Sequence, residues 1–336
     1  MKPKETQRQD DLVPKGEAAD SASRQRGEDM GDAELAEVLP PGLGGSGAAL
    51  AGVSEPIEFT HVDRMAFPQM GYTKGDVLRF YERVGPYLLP YLRDRPITVE
   101  RLPEGLTGPQ APHFWQKNTP AYYPKWIPRV RLTTEHGKPV EYVLVNDQQT
   151  LLYLVNQGVI TFHMYLSRVA DLERPDFVLF DLDPGQATFA HAVTAARQIH
   201  LLLDAMKVRS CPKTSGKSGV HVLASWHGEG DYEEAREWAM RIAQLAAGMS
   251  DIATTQRLKE KRHGRVYIDV IQNALGHHVV PPYVLRTTAE ATVSMPLGWR
   301  ELKLTVDPKQ FNLKSVPDEL AQGHGDPMAK ALGLRP

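Results

Sequence analysis

Two aspartates stand at i and i+2 in Phe177-Val-Leu-Phe-Asp-Leu-Asp-Pro-Gly185, where an apolar run stops at a Pro-Gly turn. Strand side chains alternate faces, so Asp181 and Asp183 project together while Leu182 points into the opposite layer. Two carboxylates so placed suit a hard divalent cation, Mg²⁺ or Mn²⁺, shared with substrate phosphates. Capping of the next helix is the competing reading of a bare Asp-x-Asp. A second segment, Lys213-Thr-Ser-Gly-Lys-Ser-Gly-Val-His221, offers hydroxyls, a cation and unobstructed backbone N–H groups from Ser215, Gly216, Lys217, Ser218 and Gly219. Such a nest suits a polyphosphate. It is not a Walker A loop, because the first Gly of that pattern is missing, position 211 being Cys, and the following element reads as a strand. A Gly/Ser-rich hairpin turn, with His221 an ordinary strand residue, is the alternative. The third segment, Arg265-Val-Tyr-Ile-Asp-Val-Ile-Gln-Asn273, sets Asp269 inside an apolar strand. A buried carboxylate there needs a cation, a hydrogen-bonding partner or a water-lined cleft, and a structural salt bridge would also satisfy it.

The elements that must position these residues alternate irregularly from Glu58 onward. Residues 97–101, 140–146, 159–165, 177–182, 220–226 and 266–271 are short β-branched or aromatic runs of strand length. Helical spacing of apolar residues follows Pro184-Gly185 over 186–206, and a second helix fits 231–249, with Asp231 as N-cap and Glu233 and Glu234 in its first turn. No repeat of solenoid length appears. The mixture predicts an α+β fold with catalytic residues on a sheet covered by helices.

Charge is divided unevenly along the 336 residues, whose 39 Lys and Arg and 41 Asp and Glu give a formal net charge of −2. Residues 1–55 hold 6 basic and 11 acidic side chains and none of the 26 aromatics, so they cannot bury enough apolar surface to offset the entropy of ordering. They are expected to form a disordered acidic tail, with a short transient helix near residues 33–38. The remaining 33 basic and 30 acidic residues leave the folded part at +3, mildly basic. One cysteine, Cys211, excludes an intramolecular disulfide and any multi-cysteine metal site, and favours a reducing compartment. No apolar run approaches the roughly 20 residues of a membrane span, and the first 20 residues lack the apolar core of a secretory signal.

In combination, Asp-Leu-Asp-Pro-Gly, Thr-Ser-Gly-x-x-Gly-x-His and a strand Asp followed by Gln-Asn resemble the archaeo-eukaryotic primase superfamily. More closely, the chain resembles the polymerase domain of bacterial ligase D and related stand-alone primase-polymerases, over roughly residues 57–310. Val62-Asp-Arg-Met-Ala-Phe-Pro68, Gly71-Tyr-Thr-Lys-Gly-Asp76, Phe114-Trp-Gln-Lys117, Phe162-His163 and Pro282-Tyr-Val-Leu-Arg286 agree with it. The resemblance implies a primase-like α+β core of mainly antiparallel sheets flanked by helices over 56–312, with a C-terminal extension over 313–336.

It further implies a template-directed nucleotidyltransferase adding ribo- or deoxynucleotides to primer 3′ ends at gaps or breaks during end joining. Asp181, Asp183 and Asp269 would ligate two Mn²⁺ or Mg²⁺ ions. His163, Ser215, Gly216, Lys217, Ser218, Gly219, His221, Gln272 and Arg286 would surround a nucleoside triphosphate. Arg64, Lys74, Arg101 and Lys117 would grip DNA, including the 5′-phosphate of a downstream strand, and Phe114 and Trp115 would pack on template bases. Three departures stand out: Lys217 lies one residue earlier than in many relatives, Arg64 replaces a commoner Lys, and Gly276-His-His-Val279 is less basic. No Lys-x-Asp-Gly ligase motif is present, so a separate ATP-dependent ligase and a Ku-like end-binding protein are the expected partners, with no membrane, in the nucleoid-associated bacterial cytoplasm. A metal-dependent nuclease or phosphohydrolase using the same carboxylates, and a non-catalytic DNA-end-binding module, are the competing functions.

Overall fold

The computed structural model describes residues 56–107, 111–133, 137–226, 228, 230–323 and 325–334. The expected acidic tail and its short helix lie outside them.

A short hairpin, β1 (Met65–Phe67) and β2 (Tyr72–Thr73), leads straight into helix α1 (Lys74–Leu92). Thr73 and Asp76 close α1 reciprocally, the Thr73 hydroxyl accepting from Asp76 N–H and the Asp76 carboxylate from Thr73 N–H. Val77, Leu78, Tyr81, Val84, Leu88, Tyr91 and Leu92 line its buried stripe.

The first sheet uses the next five strands: β3 (Ile97–Arg101), β4 (Phe114–Gln116), β5 (Arg129–Thr133), β6 (Pro139–Val143) and β7 (Val159–Met164). Its order is β4-β3-β6-β5, with β7 also paired to β3, and every pairing is antiparallel. Helix α2 (Gln148–Asn156), capped by Asp147, precedes β7 and packs on α1.

The second sheet carries the three segments singled out above. It comprises β8 (Phe177–Asp183), β9 (Ser210–Thr214), β10 (Val220–Ser225), β11 (Ala253–Thr254) and β12 (Val266–Asp269), in the order β11-β12-β8-β10-β9. All its pairings are antiparallel except β11 with β12. Helices α3 (Phe189–Ala205) and α4 (Tyr232–Gly248) pack against it and each other. Asp231 caps α4 as expected, accepting from Glu233 and Glu234 N–H at 2.8 and 3.2 Å. α3 begins later than position 186 because Thr188 takes the cap, accepting from His191 N–H at 3.3 Å.

Between the sheets runs a stretch with no regular element, residues 270–307, held by isolated bridges. Met164 pairs with Val279, Leu285 with Val293, and Lys213 with Pro296, so this stretch is stitched to β7 and to β9. Thr161 Oγ1 donates to Leu285 O at 2.8 Å, fixing the chain beside Arg286. Residues 313–334 form α5 (Ser315–Ala321), against α1, and α6 (Pro327–Leu332), against β9. Asp326 caps α6 and accepts the Tyr91 hydroxyl at 2.8 Å. No described helix is long and apolar enough to cross a membrane.

Candidate active site

The register of the second sheet lines four side chains up across it. Asp269 on β12 lies opposite Asp181 on β8, Asp181 opposite His221 on β10, and His221 opposite Lys213 on β9. Residues directly opposed across antiparallel strands share a face, so this row projects to one side, with Asp183 two residues further along β8. Leu182, fully buried, points into the core as its alternation requires.

The charges in the row are tightly coupled. Burial pushes the Asp181 carboxyl up, but His221, Lys213 and Arg286 together outweigh it and bring the group below its ordinary value. His221 Nε2 lies 3.4 Å from Asp181 Oδ1, while burial and the neighbouring Lys213 hold the imidazole below its usual range. Asp269 moves the other way, raised by burial and by the like charge of Asp181. Its Oδ1 accepts from Ile271 N–H at 2.8 Å. Asp183 accepts from Gly185 N–H at 3.0 Å and from Arg262 Nη1 at 3.1 Å, and the Arg262 guanidinium stacks 4.0 Å over the Tyr267 ring. Among the described residues no three His, Cys, Asp or Glu side chains are gathered closely enough to enclose a metal ion.

The 215–219 loop sits at the end of β9 and β10. Ser215 Oγ accepts from Lys217 and Gly219 N–H at 3.1 and 3.0 Å, so two of the loop's backbone donors are turned inward. Two glycines are structurally required. Gly216 has φ +70° and lies against Arg286, and a Cβ on Gly219 would come within 2.4 Å of Leu182 O, the carbonyl between the two aspartates. The loop is thereby pressed against the carboxylate strand.

A cavity of about 690 Å³ brings together Asp181, Asp183, Asp269, His163, Ser215, Lys217, Ser218, Gly219, His221, Gln272 and Arg286, with Trp115 and Lys117 at the same space. Gly216 faces a neighbouring hollow of about 340 Å³ instead. Arg286 is nine-tenths buried and its Nε has no partner, and the buried His163 Nε2 also lacks one. Burial, then Arg286, keeps His163 well below its ordinary range. Trp115 is 54% exposed and its ring lies 4.4 Å from that of His163. Phe114 takes the other side of β4, 5.2 Å beneath the Arg101 guanidinium, which also bonds Gln157 O and Gln116 Oε1. Strand alternation thus splits Phe114 from Trp115.

Arg64 and Lys74 lie apart, in a cavity of about 160 Å³. Lys74 Nζ donates to Thr60 O at 2.6 Å and Arg64 Nη1 to Pro103 O at 3.0 Å. Burial, and then Arg64, bring the Lys74 amine down to about 8. Sequence reasoning missed Thr98, Tyr267 and Arg262 at the main cavity, where the flagged Gly276-His-His-Val279 segment also lies. Arg262 had a visible signal, the cation-rich run 257–265 just before β12. Asn273 proves structural: its amide donates to Leu179 O and accepts from Leu179 N–H, both at 2.7 Å, extending the β8 edge.

Paired carboxylates beside a phosphate-sized loop, on an antiparallel sheet flanked by helices, define a nucleotidyltransferase core of the primase type. The chain belongs to the LigD primase-polymerase domain family, whose model matches residues 73–328. It is 32% identical over 271 residues to the bifunctional non-homologous end joining protein LigD of Bacillus subtilis, covering 80% of this chain and 43% of that protein. Over 303 residues it is 31% identical to the multifunctional LigD of Pseudomonas aeruginosa, covering 88% of this chain and 36% of that one. It therefore spans less than half the length of these relatives. The solved polymerase domain of Mycobacterium tuberculosis ligase D, in complex with DNA, superposes with a TM-score of 0.78 at 26% identity, covering 84% of this chain and all of that one.

Proposed function

We propose that this chain extends primer 3′ ends by template-directed nucleotidyl transfer at DNA gaps and broken ends, as part of end joining. The observation that carries this is the row Asp269–Asp181–His221 beside the 215–219 loop. That cavity gathers the three carboxylates together with the cations Lys217, Lys117 and Arg286.

The carboxylates suit Mn²⁺ or Mg²⁺, with substrate phosphate oxygens completing the ligand sets that the three side chains alone do not enclose. Asp181 faces Asp269 in register, and burial together with the like charge of Asp181 raises the Asp269 carboxyl, a cost that a bound cation would offset. The donor set is all oxygen, as hard cations require. Asp181, Asp183 and Asp269 would hold two such ions, which supply activation of the 3′-hydroxyl and neutralisation of the leaving pyrophosphate. The protein's own groups bind and orient. Arg286 and Lys217 meet the triphosphate charge, and Ser215 Oγ, accepting from two loop N–H groups, keeps its own proton to donate. His163 and Trp115 offer an imidazole and an exposed ring where base and sugar would lie. Because the pieces are prepositioned, catalysis is mainly alignment and charge stabilisation.

Arg64 and Lys74 form the proposed grip on a downstream 5′-phosphate, and DNA bound to the Mycobacterium relative supports a DNA partner here. Lys74 carries its proton below about pH 8 and loses it above. End-phosphate-dependent affinity should therefore be full near pH 7 and weaken about tenfold by pH 9, one unit above that value. Fluorescence anisotropy with phosphorylated and unphosphorylated ends checks this, and Lys74→Met should flatten the profile. A separate ligase and a Ku-like protein would complete the repair.

Extension of a labelled primer on gapped DNA, with and without the 5′-phosphate and with ribo- or deoxynucleotides, tests the reading. The expected result is Mn²⁺- and nucleotide-dependent lengthening, stimulated by the phosphate. Primer shortening would favour a nuclease, and phosphate-dependent binding with no metal or nucleotide uptake an end-binding module.

A further inference from the structure

The row that carries two of the aspartates ends in a lysine with no part in the chemistry above. Lys213 is wholly buried, and its partners are a hydroxyl and an imidazole rather than a carboxylate. Burying an ammonium-bearing side chain is costly, so one held this way is a poor choice for mere packing. Nζ lies 2.6 Å from Ser294 Oγ and 2.8 Å from His221 Nδ1. Ser294 gives its own hydroxyl proton to Thr214 O at 2.8 Å, so its Oγ receives a Lys213 proton. Across the ring, His221 Nε2 faces Asp181 Oδ1, and an ionised carboxylate can only accept. A neutral imidazole has a single N–H. The longer Asp181 contact favours that proton on Nε2, and the closer Lys213 amine, donating to Nδ1, holds it there.

We propose that Lys213 is a positioning residue: anchored by Ser294, it locks His221 in the Nε2–H tautomer and fixes the ring, so that the proton is presented where Asp181 and the nucleotide phosphates meet. This rests on the nucleotide-site reading of the cavity. Without the Lys213 donor, the ring is free to place its proton on Nδ1, and the Nε2 lone pair would then face the Asp181 carboxylate and offer nothing to a phosphate.

The tautomer is read directly from long-range ¹H–¹⁵N correlation spectra of the full chain, free of nucleotide and metal, with His221 assigned by His221→Gln. Protonated Nε2 and unprotonated Nδ1 are expected, and a mixed or Nδ1–H population in Lys213→Met. An Nδ1–H tautomer or an imidazolium in the unaltered protein at pH 7 overturns the proposal, whatever the outcome of primer extension. Kinetically, Lys213→Met should raise the nucleotide KM about tenfold or more, the scale of a hydrogen bond to a charged group, with kcat and DNA affinity little changed. In a His221→Gln background the same change should cost nothing further. Equal losses in both backgrounds would mean that Lys213 only supports the fold, and would overturn its positioning role. Should Lys213→Met fail to fold, Ser294→Ala removes the anchor and should shift the same spectrum; an unshifted spectrum contradicts the lock.

Discussion

Replacing Asp181 and Asp183 together with Ala should abolish nucleotide addition while leaving DNA binding intact. The two side chains share one face at the end of β8, Asp181 opposed by Asp269 and His221, and Asp183 held by Arg262. Losing one electrostatic stabiliser commonly costs about 10²–10³-fold in rate, and removing both carboxylates should exceed that range. DNA affinity should hold or rise slightly, because two negative charges leave the neighbourhood of phosphates. Single-turnover incorporation and anisotropy on one preparation separate the two effects. Retained incorporation would remove these aspartates from the reaction.

The largest stability effect is expected at Asp176→Ala. Arg95 has no solvent exposure, and its guanidinium donates to Tyr91 O at 3.0 Å, to Leu166 O at 2.7 Å and to the Asp176 carboxylate. Arg168 Nε reaches the same carboxylate oxygen at 3.0 Å. This cluster ties the end of α1 to the connection from β7, which carries His163, to β8, which carries Asp181. Burial lowers Arg95 to about 10 against the pull of Asp176, so the pair is what keeps the buried charge tolerable. Removing Asp176 strands that charge beside Arg168 and should cost about 3 kcal/mol, the lower end of the range for breaking a buried pair, since Asp176 still meets water. Denaturant unfolding of the two proteins measures it. The double change Arg95→Met with Asp176→Ala should cost less than the sum of the singles, because it strands no charge.

What could be read in the sequence follows from how local each signal is. Asp181 and Asp183 announce themselves because a strand's alternation and the Pro-Gly stop lie within nine residues. β3, β7, β8, β10 and α4 fall close to their expected limits for the same reason, each resting on periodicity within its own run. The row across the sheet is not local. That Lys213 stands opposite His221, and Asp269 opposite Asp181, depends on the register of strands up to about 90 positions apart in the chain. Helix α1 was hidden by Pro86 and Pro90 within it, although Thr73 and Asp76 had the spacing of a reciprocal cap. Arg286 lies in a stretch without regular elements, fixed by isolated bridges and hydrogen bonds that no pattern predicts, and only its family motif pointed to it.

The most direct measurement is the length of a 5′-labelled primer annealed across a short DNA gap and incubated with the protein, Mn²⁺ and one nucleotide at a time. The proposed function predicts a primer longer by one residue only with the nucleotide complementary to the template, and no change in the Asp181→Ala, Asp183→Ala protein. A primer that shortens, or lengthens without regard to the template base, would contradict it.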